Sequence, residues 1–223
     1  NDHFAQQLEA GELQRDIARV VQEHKEAYLV HSIAGNIWAE ISGKMRHEGA
    51  VRADFPAVGD WVVLRGVEHV KEKGSEGPVQ IARILPRRTV LARRLEADQQ
   101  ILATNVDVVF LGTSLNENFN LRRLEGYLTL ARESGARPVV LLTKADLCED
   151  AEPYLAEVRS VAGDVAMHPI SVVTGVGMAE VRGYLAAGAT SVILGSSGIG
   201  KSTLVNFLAD ADVAHGHLEL VAD

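Results

Sequence analysis

One eight-residue segment in the last third of the chain has the residue types of a phosphate-binding loop. Residues 195–202 read GSSGIGKS and match the pattern G-x-x-x-x-G-K-[ST] in full. The glycines allow the backbone to wrap a phosphate with its N–H groups turned inward. A lysine at the seventh position brings a mobile positive charge to the β- and γ-phosphates, and a hydroxyl at the eighth can ligate Mg²⁺. The segment predicts a nucleotide site with Lys201 and Ser202 as catalytic candidates and Ser202 as the Mg²⁺ ligand, and it does not choose between ATP and GTP.

The elements that must position this loop are also visible in the sequence. The run TSVILG predicts a strand before it, and a helix is predicted from residue 200. From about residue 98, the strand-like runs DVVFLGTS, PVVLLTK and VAMHPISV alternate with helices predicted from 121 to Gly135, near 152–162 and near 178–187. Four apolar strands separated by helices imply a parallel sheet covered on both faces. Ligands bind such sheets at the carboxyl ends of the strands.

Two further motifs at strand ends favour guanine as the base. Thr143-Lys144-Ala145-Asp146 resembles the N-K-x-D element of GTPases, with Thr143 in the place of Asn. The Asp146 carboxylate can accept two hydrogen bonds from the N1–H and N2–H₂ groups of guanine, a donor pair that adenine lacks. The aliphatic stem of Lys144 can lie against the face of the base. Ser171-Val172-Val173 resembles the S-A-x element, whose backbone N–H meets guanine O6.

The three motifs together define a predicted nucleotide site for GTP or GDP with Mg²⁺. Its expected binding residues are Thr143, Lys144, Asp146, Ser171, Val172, Gly195, Ser196, Ser197, Gly198, Ile199, Gly200, Lys201, Ser202 and Thr203. Most GTPases present the phosphate-binding loop first and the base elements last, whereas this sequence reverses that order. Circular permutation is physically acceptable because the strand ends remain neighbours in space.

The N-terminal half has a different residue pattern, which predicts short strands at close spacing. The runs IARVVQE, EAYLVHS, NIWAEIS, VGDWVVLRG and PVQIARILP predict five strands, with Gly35-Asn36 as a hairpin signal. Such a pattern favours a small barrel, and the five-stranded oligonucleotide-binding (OB) barrel is one candidate. The predicted organisation is a short helix or loose leader over 1–14, a barrel over 15–95 and an α/β domain over 98–223.

The charge is unevenly distributed between these halves. The whole chain has a formal net charge of −8, yet residues 15–95 contain 14 Lys and Arg against 10 Asp and Glu. A chain that is acidic overall is not expected to bind nucleic acid over its whole surface. A basic barrel within it suggests that this part of the protein binds a polyanion.

The motifs in this order resemble one known family, the circularly permuted GTPases that depend on the small ribosomal subunit (RsgA/YjeQ type). The resemblance covers nearly the whole chain from about residue 16 and is carried by AVGDWVVL, ILPRRTVLARR, GSSGIGKSTLVN and the run from ATNVDVVFLG to LLTKADL. It implies an N-terminal OB-fold barrel followed by a P-loop GTPase domain with permuted motif order. It also implies GTP hydrolysis stimulated by the small (30S) subunit during its late maturation.

The resemblance makes the basic barrel a candidate for binding 16S rRNA. The expected contacts are Lys44, Arg46, His47, Arg52, Arg87, Arg88, Arg93 and Arg94. Two tryptophans, Trp38 and Trp61, have the chemistry to stack on bases, but we expect both in the barrel core.

The sequence departs from the family pattern after the phosphate-binding loop. Residues 203–223 contain no D-x-x-G, and the run HGHLELVAD predicts a strand where the family has a long switch loop. The single cysteine, Cys148, cannot form an internal disulfide or the family's zinc site, and the pair His215 and His217 is weak evidence for a metal. We therefore expect a chain incomplete at its C-terminus that carries no zinc and, although it binds GDP or GTP, hydrolyses GTP poorly or not at all.

Two other functions fit parts of the sequence. A P-loop ATPase or small-molecule kinase fits the phosphate-binding loop alone, and an RNA-binding module with a vestigial nucleotide pocket fits the barrel.

The sequence has no apolar run of the ~20 residues needed to span a membrane and no signal peptide at the given N-terminus. We expect a cytoplasmic monomer without membrane association.

Overall fold

The structure is a computed structural model that describes residues 4, 6–25, 27–67, 79–94, 99–210 and 217–220. The chain divides into two compact units, residues 1–105 and residues 106–223. The first unit thus extends ten residues beyond the end predicted for the barrel at 95, because the strand at 99–104 pairs with the one at 90–94.

Five strands of the first unit form a closed barrel with the order β1-β2-β3-β5-β4, in which β4 returns to pair with β1. All pairs are antiparallel except β3 with β5, which is parallel. The strands are β1 (Ile17–Glu23), β2 (Ala27–Ser32), β3 (Gly35–Ile41), β4 (Trp61–Arg65) and β5 (Val79–Ile84). The predicted OB-type barrel is confirmed, with all five strands where the short apolar runs placed them.

The loop of the hairpin between β2 and β3 lies two residues earlier than the Gly35-Asn36 signal suggested. Ser32 pairs with Gly35, so Ile33 and Ala34 form the two-residue loop, and Gly35 has a φ of 99°. The Ser32 hydroxyl accepts a hydrogen bond from the Ala34 N–H and donates one to the Gly35 carbonyl, both at 3.1 Å. The Ser32 side chain therefore provides the hydrogen bonds of the turn, and Gly35 provides the left-handed backbone conformation that follows it.

The barrel interior is filled by side chains that alternate along each strand, as a half-buried strand requires. On β3 the inward residues Ile37 and Ala39 are buried, whereas Trp38 between them is 51% exposed. The expectation that Trp38 lies in the core is therefore wrong. Trp61, on β4, is half-buried and stacks on Phe4 with ring centroids 5.1 Å apart.

Part of the segment expected to be a short helix or loose leader packs on the barrel. Phe4 is 5% exposed and joins Ile17, Val63 and Leu85 in a second apolar cluster. Between β3 and β4 lies the short helix α1 (Gly43–Glu48), which begins at Ser42, whose hydroxyl accepts a hydrogen bond from the Met45 N–H. After β5, the strands β6 (Val90–Arg94) and β7 (Gln99–Thr104) form a two-stranded antiparallel sheet.

The second unit is the predicted parallel sheet with helices between its strands. The strand order is β10-β9-β8-β11-β12, and every pair is parallel. Its strands are β8 (Val108–Ser114), β9 (Arg137–Thr143), β10 (Ala166–Pro169), β11 (Thr190–Leu194) and β12 (His217–Leu220). All residues of β8 and β11 are buried, as expected for central strands with both faces covered.

The helices of the second unit are α2 (Leu121–Ser134), α3 (Glu152–Ala162), α4 (Met178–Arg182) and α5 (Lys201–Asp210). α2 begins after Asn120, whose side chain accepts a hydrogen bond from the Arg123 N–H, and ends at Gly135 with a φ of 80°. α4 is shorter than the predicted 178–187. Within the described residues, no helix combines the length and the apolar character that a bilayer crossing demands.

Candidate nucleotide-binding site

The carboxyl ends of β9, β10 and β11 open onto one pocket of about 280 Å³. The sequence-predicted residues that line it come from all three motifs: Thr143, Lys144, Asp146, Val172, Ile199, Gly200 and Thr203. Four further lining residues, Leu147, Ile170, Val173 and Leu204, were not among the binding residues expected from the sequence. They give the pocket apolar walls of the kind that a purine ring requires.

The phosphate-binding loop, residues 195–202, follows β11 and enters α5. Gly198 and Gly200 have φ values of 83° and 97°, a backbone that other residues adopt at a cost. A Cβ atom on Gly195 would overlap the Cδ1 atom of Ile199, so the loop also needs a glycine at its start for lack of space. Ile199 itself is 2% exposed and anchors the middle of the loop in the protein.

The two catalytic candidates lie in the first turn of α5. The Lys201 ammonium donates hydrogen bonds to the carbonyl oxygens of Gly195 and, at 3.1 Å, Ser196, and so lies across its own loop. Ser202 follows it and is exposed. The positive end of the α5 dipole and the inward N–H groups of the loop suit an anion, and the Ser202 hydroxyl suits a hard cation such as Mg²⁺.

Thr143, which stands in the place of Asn, connects the base side of the pocket to the phosphate side. It is 8% exposed, and its hydroxyl donates a hydrogen bond of 2.8 Å to the Ile199 carbonyl oxygen. Its Oγ1 atom also lies 3.5 Å from the Thr113 carbonyl oxygen. The substitution therefore retains a side-chain donor toward the phosphate-binding loop.

Lys144 and Asp146 follow in a tight turn. Lys144 has left-handed backbone angles (φ 61°, ψ 39°), which a residue with a Cβ adopts at a cost of about 1–2 kcal/mol. Strain of this kind concentrates at functional sites. The Ala145 N–H donates to the Ile170 carbonyl oxygen at 3.0 Å and so ties the turn to the end of β10.

Ser171 orients the carboxylate of Asp146. Its hydroxyl donates a hydrogen bond of 2.6 Å to Asp146 Oδ1, and the residue is only 1% exposed. The Ser171 N–H is used inside its own loop, where it donates to the Val176 carbonyl oxygen at 3.0 Å. The N–H of Val172, which lines the pocket, is therefore the better candidate for guanine O6.

The loop between β8 and α2 also approaches the phosphate-binding loop. The Asn118 side-chain nitrogen lies 3.7 Å from the position that a Cβ atom on Gly198 would take. Ser196 shares a small crevice with Asn120 and Arg123. Nothing in the sequence pattern marked this loop, because its place beside the phosphate-binding loop follows from the pairing of β8 with β11.

The described residues include no group of three or more His, Cys, Asp and Glu side chains that could hold a metal ion. His215 lies outside the described residues, as does the side chain of His217. The Mg²⁺ that we expect would instead be held mainly by the nucleotide phosphates with the Ser202 hydroxyl.

The rRNA candidates of the first unit fall into two groups. Lys44, Arg46, His47, Arg88, Arg93 and Arg94 are exposed, with Lys44 4.0 Å from Glu48 and Arg88 over the Phe4 ring at 5.8 Å. The other two are partly buried: Arg52 pairs with Glu23, and Arg87 binds the buried Asp60. Arg87 donates to both Asp60 oxygens and to the carbonyl oxygens of Ala53 and Phe55, so its donors serve the fold and we withdraw it as an rRNA contact.

Several known proteins are similar to this chain in sequence. A family model described as RsgA GTPase matches residues 84–218. A protein from Lactiplantibacillus plantarum named small ribosomal subunit biogenesis GTPase RsgA 2 is 45% identical over 199 residues, which cover 88% of this chain and 54% of that protein. One from Opitutus terrae, named small ribosomal subunit biogenesis GTPase RsgA, is 47% identical over 196 residues, covering 86% and 53%. The chain spans about half the length of these curated relatives.

Two solved structures are similar to this chain. YjeQ from Thermotoga maritima superposes with a TM-score of 0.65 at 26% identity, covering 86% of this chain and 64% of that one. YloQ, described as a circularly permuted GTPase, has a TM-score of 0.59 at 20% identity, covering 89% and 66%, and supports the fold alone.

Proposed function

The chain belongs to the RsgA GTPase family, and from this premise we propose that it binds GTP and GDP and acts in the late maturation of the small (30S) ribosomal subunit. Because the chain spans about half of its curated relatives, the hydrolytic activity and the ribosomal partner are part of the proposal. The observation that carries it is the shared pocket: Asp146 and Gly200, from the base element and the phosphate-binding loop, line the same cavity.

Residues that line the pocket, together with the adjacent Lys201 and Ser202, supply both ends of the proposed guanine-nucleotide site. At one end, the Asp146 carboxylate, held by Ser171, accepts from the guanine N1–H and N2–H₂ groups while Leu147 and Val173 flank the base. At the other end, the Lys201 ammonium leaves the carbonyl oxygens of its own loop and binds the β- and γ-phosphates. The Ser202 hydroxyl would help to hold Mg²⁺, which would supply charge neutralisation during phosphoryl transfer.

Hydrolysis also requires a positioned water, and no described side chain is assigned that role. We therefore expect the isolated chain to bind nucleotide but to turn over GTP slowly, with acceleration by small subunits. The barrel unit, on which Lys44 and Arg46 are exposed, is proposed to contact 16S rRNA. We propose that the protein acts as a monomer in the cytoplasm.

Calorimetric titration with GDP, GTP and ATP tests the nucleotide part of this proposal. The chain is expected to bind GDP and GTP at least 100-fold more tightly than ATP, because a wrong base leaves the Asp146 carboxylate unpaired. Asp146→Asn should abolish guanine binding and favour xanthine nucleotides, whereas Glu149→Gln, a neighbouring exposed carboxylate, should change neither. Tighter binding of ATP, unaffected by Asp146→Asn, would instead identify a P-loop ATPase or kinase.

Phosphate release measured with and without purified 30S subunits tests the ribosomal part. We expect stimulation by 30S subunits at low salt that declines as salt is raised, because phosphate contacts release counterions. Salt-dependent RNA binding by a chain that binds no nucleotide would favour an RNA-binding module with a vestigial pocket.

A further inference from the structure

The outer surface of the barrel carries a half-exposed tryptophan in an otherwise polar setting. Trp38 is 51% exposed, although β3 alternates strictly and offers buried positions on either side of it. Its indole meets the His24 ring edge-on, with ring centroids 5.4 Å apart. A large aromatic ring that the fold leaves half in water, with a second ring fixed against it, is a preformed stacking surface.

The strand register assembles further side chains around Trp38. Gln22 on β1 aligns with Leu29 on β2, and Leu29 aligns with Trp38 on β3, so the three form one outward row. In the next outward pair, His31 lies opposite Asn36, and His31 Nδ1 is 2.8 Å from Asn36 Oδ1. We call these outward residues, together with His24, the Trp38 face; they are Gln22, His24, Leu29, His31, Asn36 and Trp38.

The chemistry of the Trp38 face fits a nucleobase. Imidazole and carboxamide groups surround the indole, and they offer both donors and acceptors to the edges of a base. None of the six is an Asp, Glu, Lys or Arg; the next outward residue of β3, Glu40, lies between Trp38 and α1 along the chain and is the nearest carboxylate of that strand. A surface for a protein partner needs a wider apolar area, whereas a single base needs one ring and a polar rim.

A basic segment lies next to this face along the chain. Trp38 is three residues from the end of β3, or about 10 Å at the usual rise of a strand. The helix α1 follows directly, and Lys44 and Arg46 are exposed on it. One strand of RNA can therefore place a base on Trp38 and its phosphates along α1, which is how sequence-tolerant barrels hold single strands.

We propose that the Trp38 face binds an unpaired base of single-stranded RNA by stacking on the Trp38 indole, with the adjoining phosphates on α1. The proposal rests on the proposed function in that it specifies how the barrel contacts rRNA. It assigns Trp38 to recognition of unpaired segments and predicts little affinity for fully paired RNA.

The chain contains two tryptophans, so Trp61→Phe leaves Trp38 as its only indole. In this variant, titration with a single-stranded RNA oligonucleotide should quench the tryptophan fluorescence, and the matching duplex should not. Trp38→Ala should weaken binding of a labelled single-stranded oligonucleotide about 5- to 100-fold, and Trp38→Phe less, since a phenyl ring still stacks. Val51→Ala, at a position that is also 51% exposed, is the matched control and should bind RNA normally.

Affinity for GDP, which reports on the second unit, should be unchanged in all four variants, and an unchanged urea-denaturation midpoint by circular dichroism verifies that the barrel unit of each is folded. Equal RNA affinity of Trp38→Ala and wild type, or fluorescence that RNA leaves unchanged, would overturn the role of Trp38 while leaving the proposed function standing. Loss of binding to a ribosomal protein without loss of RNA affinity would overturn it in favour of a protein surface. If the wild-type chain binds neither RNA nor 30S subunits, the ribosomal part of the proposed function fails as well.

Discussion

The hydroxyl of Thr143 donates a hydrogen bond of 2.8 Å to the carbonyl oxygen of Ile199, and so joins the end of β9 to the middle of the phosphate-binding loop. Both residues are buried, and both line the pocket. Recognition of the base and placement of the phosphates therefore share one contact. Breaking it leaves a buried carbonyl oxygen without its partner, which costs more than the hydrogen bond itself contributes.

Thr143→Val keeps the shape of the side chain and removes the donor. We expect GDP affinity to fall about 5- to 10-fold, the equivalent of about 1–1.4 kcal/mol for one hydrogen bond. Thr143→Ser keeps the hydroxyl and should retain most of the affinity. Calorimetry on both variants measures the difference, and equal affinities would show that the Thr143–Ile199 contact does not organise the site.

Ser171→Ala should weaken binding through Asp146. Without the 2.6 Å hydrogen bond from Ser171, the carboxylate is free to leave the orientation that matches guanine. We expect about a 5-fold loss of GDP affinity. Ser160→Ala removes a hydroxyl that bonds only locally on the exposed surface of α3, to the Glu157 carbonyl oxygen, and serves as the control. An effect of equal size in both variants would contradict the positioning role.

Gly112→Ala should disturb the phosphate-binding loop from inside the sheet. The added Cβ atom would overlap the Cδ1 atom of Ile199, and this buried side chain has little room to move. We therefore expect weaker GDP binding and a decrease of about 1–3 kcal/mol in the free energy of unfolding. Adding Ile199→Val removes that Cδ1 atom and should restore part of both. Gly126→Ala, in α2 with open space around it, should instead stabilise the protein by about 0.5–1 kcal/mol. Thermal denaturation and GDP titration of the three variants provide the comparison.

Arg87→Met should unfold the barrel unit rather than selectively weaken RNA binding. Asp60 is fully buried, and removing its cation leaves its charge with hydrogen bonds only from the Ala57 N–H and the Thr104 hydroxyl, at a cost of about 3–5 kcal/mol. Arg46→Met, at an exposed position of α1, should leave stability nearly unchanged and lower RNA affinity. Urea denaturation and RNA binding separate the two effects. A stable Arg87→Met variant with weakened RNA binding would return Arg87 to the list of rRNA contacts.

Glu12→Gln should reduce stability in a pH-dependent way. Hydrogen bonds from Arg83, at 2.5 and 2.9 Å, hold the pKa of the Glu12 carboxyl below its usual 4.5. A group with a lowered pKa in the folded state stabilises the protein above its unfolded pKa and loses that contribution as the pH falls through the folded pKa. The difference between wild type and Glu12→Gln in urea denaturation should be present at pH 7 and vanish in acid. Glu9→Gln, whose carboxylate is 73% exposed and 3.8 Å from Arg83, should show a smaller difference.

Local patterns were sufficient for most of the secondary structure. The run PVVLLTK is apolar on both faces and became the buried strand β9, and α2 ends at Gly135 as its glycine predicted. Trp38 was misjudged although the alternation was informative: it shares its side of β3 with the polar Asn36 and Glu40, whereas Ile37 and Ala39 fill the interior. Arg87 could not be judged from local patterns, because its partner Asp60 is 27 residues away.

The sequence by itself determined which chemical groups the protein carries. Residue types at fixed spacing identified a glycine-rich loop with Lys201 and Ser202, a carboxylate at Asp146 and a basic barrel segment. The tertiary structure decided which of these groups meet. Parallel strands bring Thr143, Asp146 and Ile199 to one pocket, and barrel closure directs Arg87 inward and Trp38 outward. The physical reason is that spacing along a chain fixes only nearest neighbours, whereas the partners of a buried donor or an exposed ring are set by how sheets pair and close.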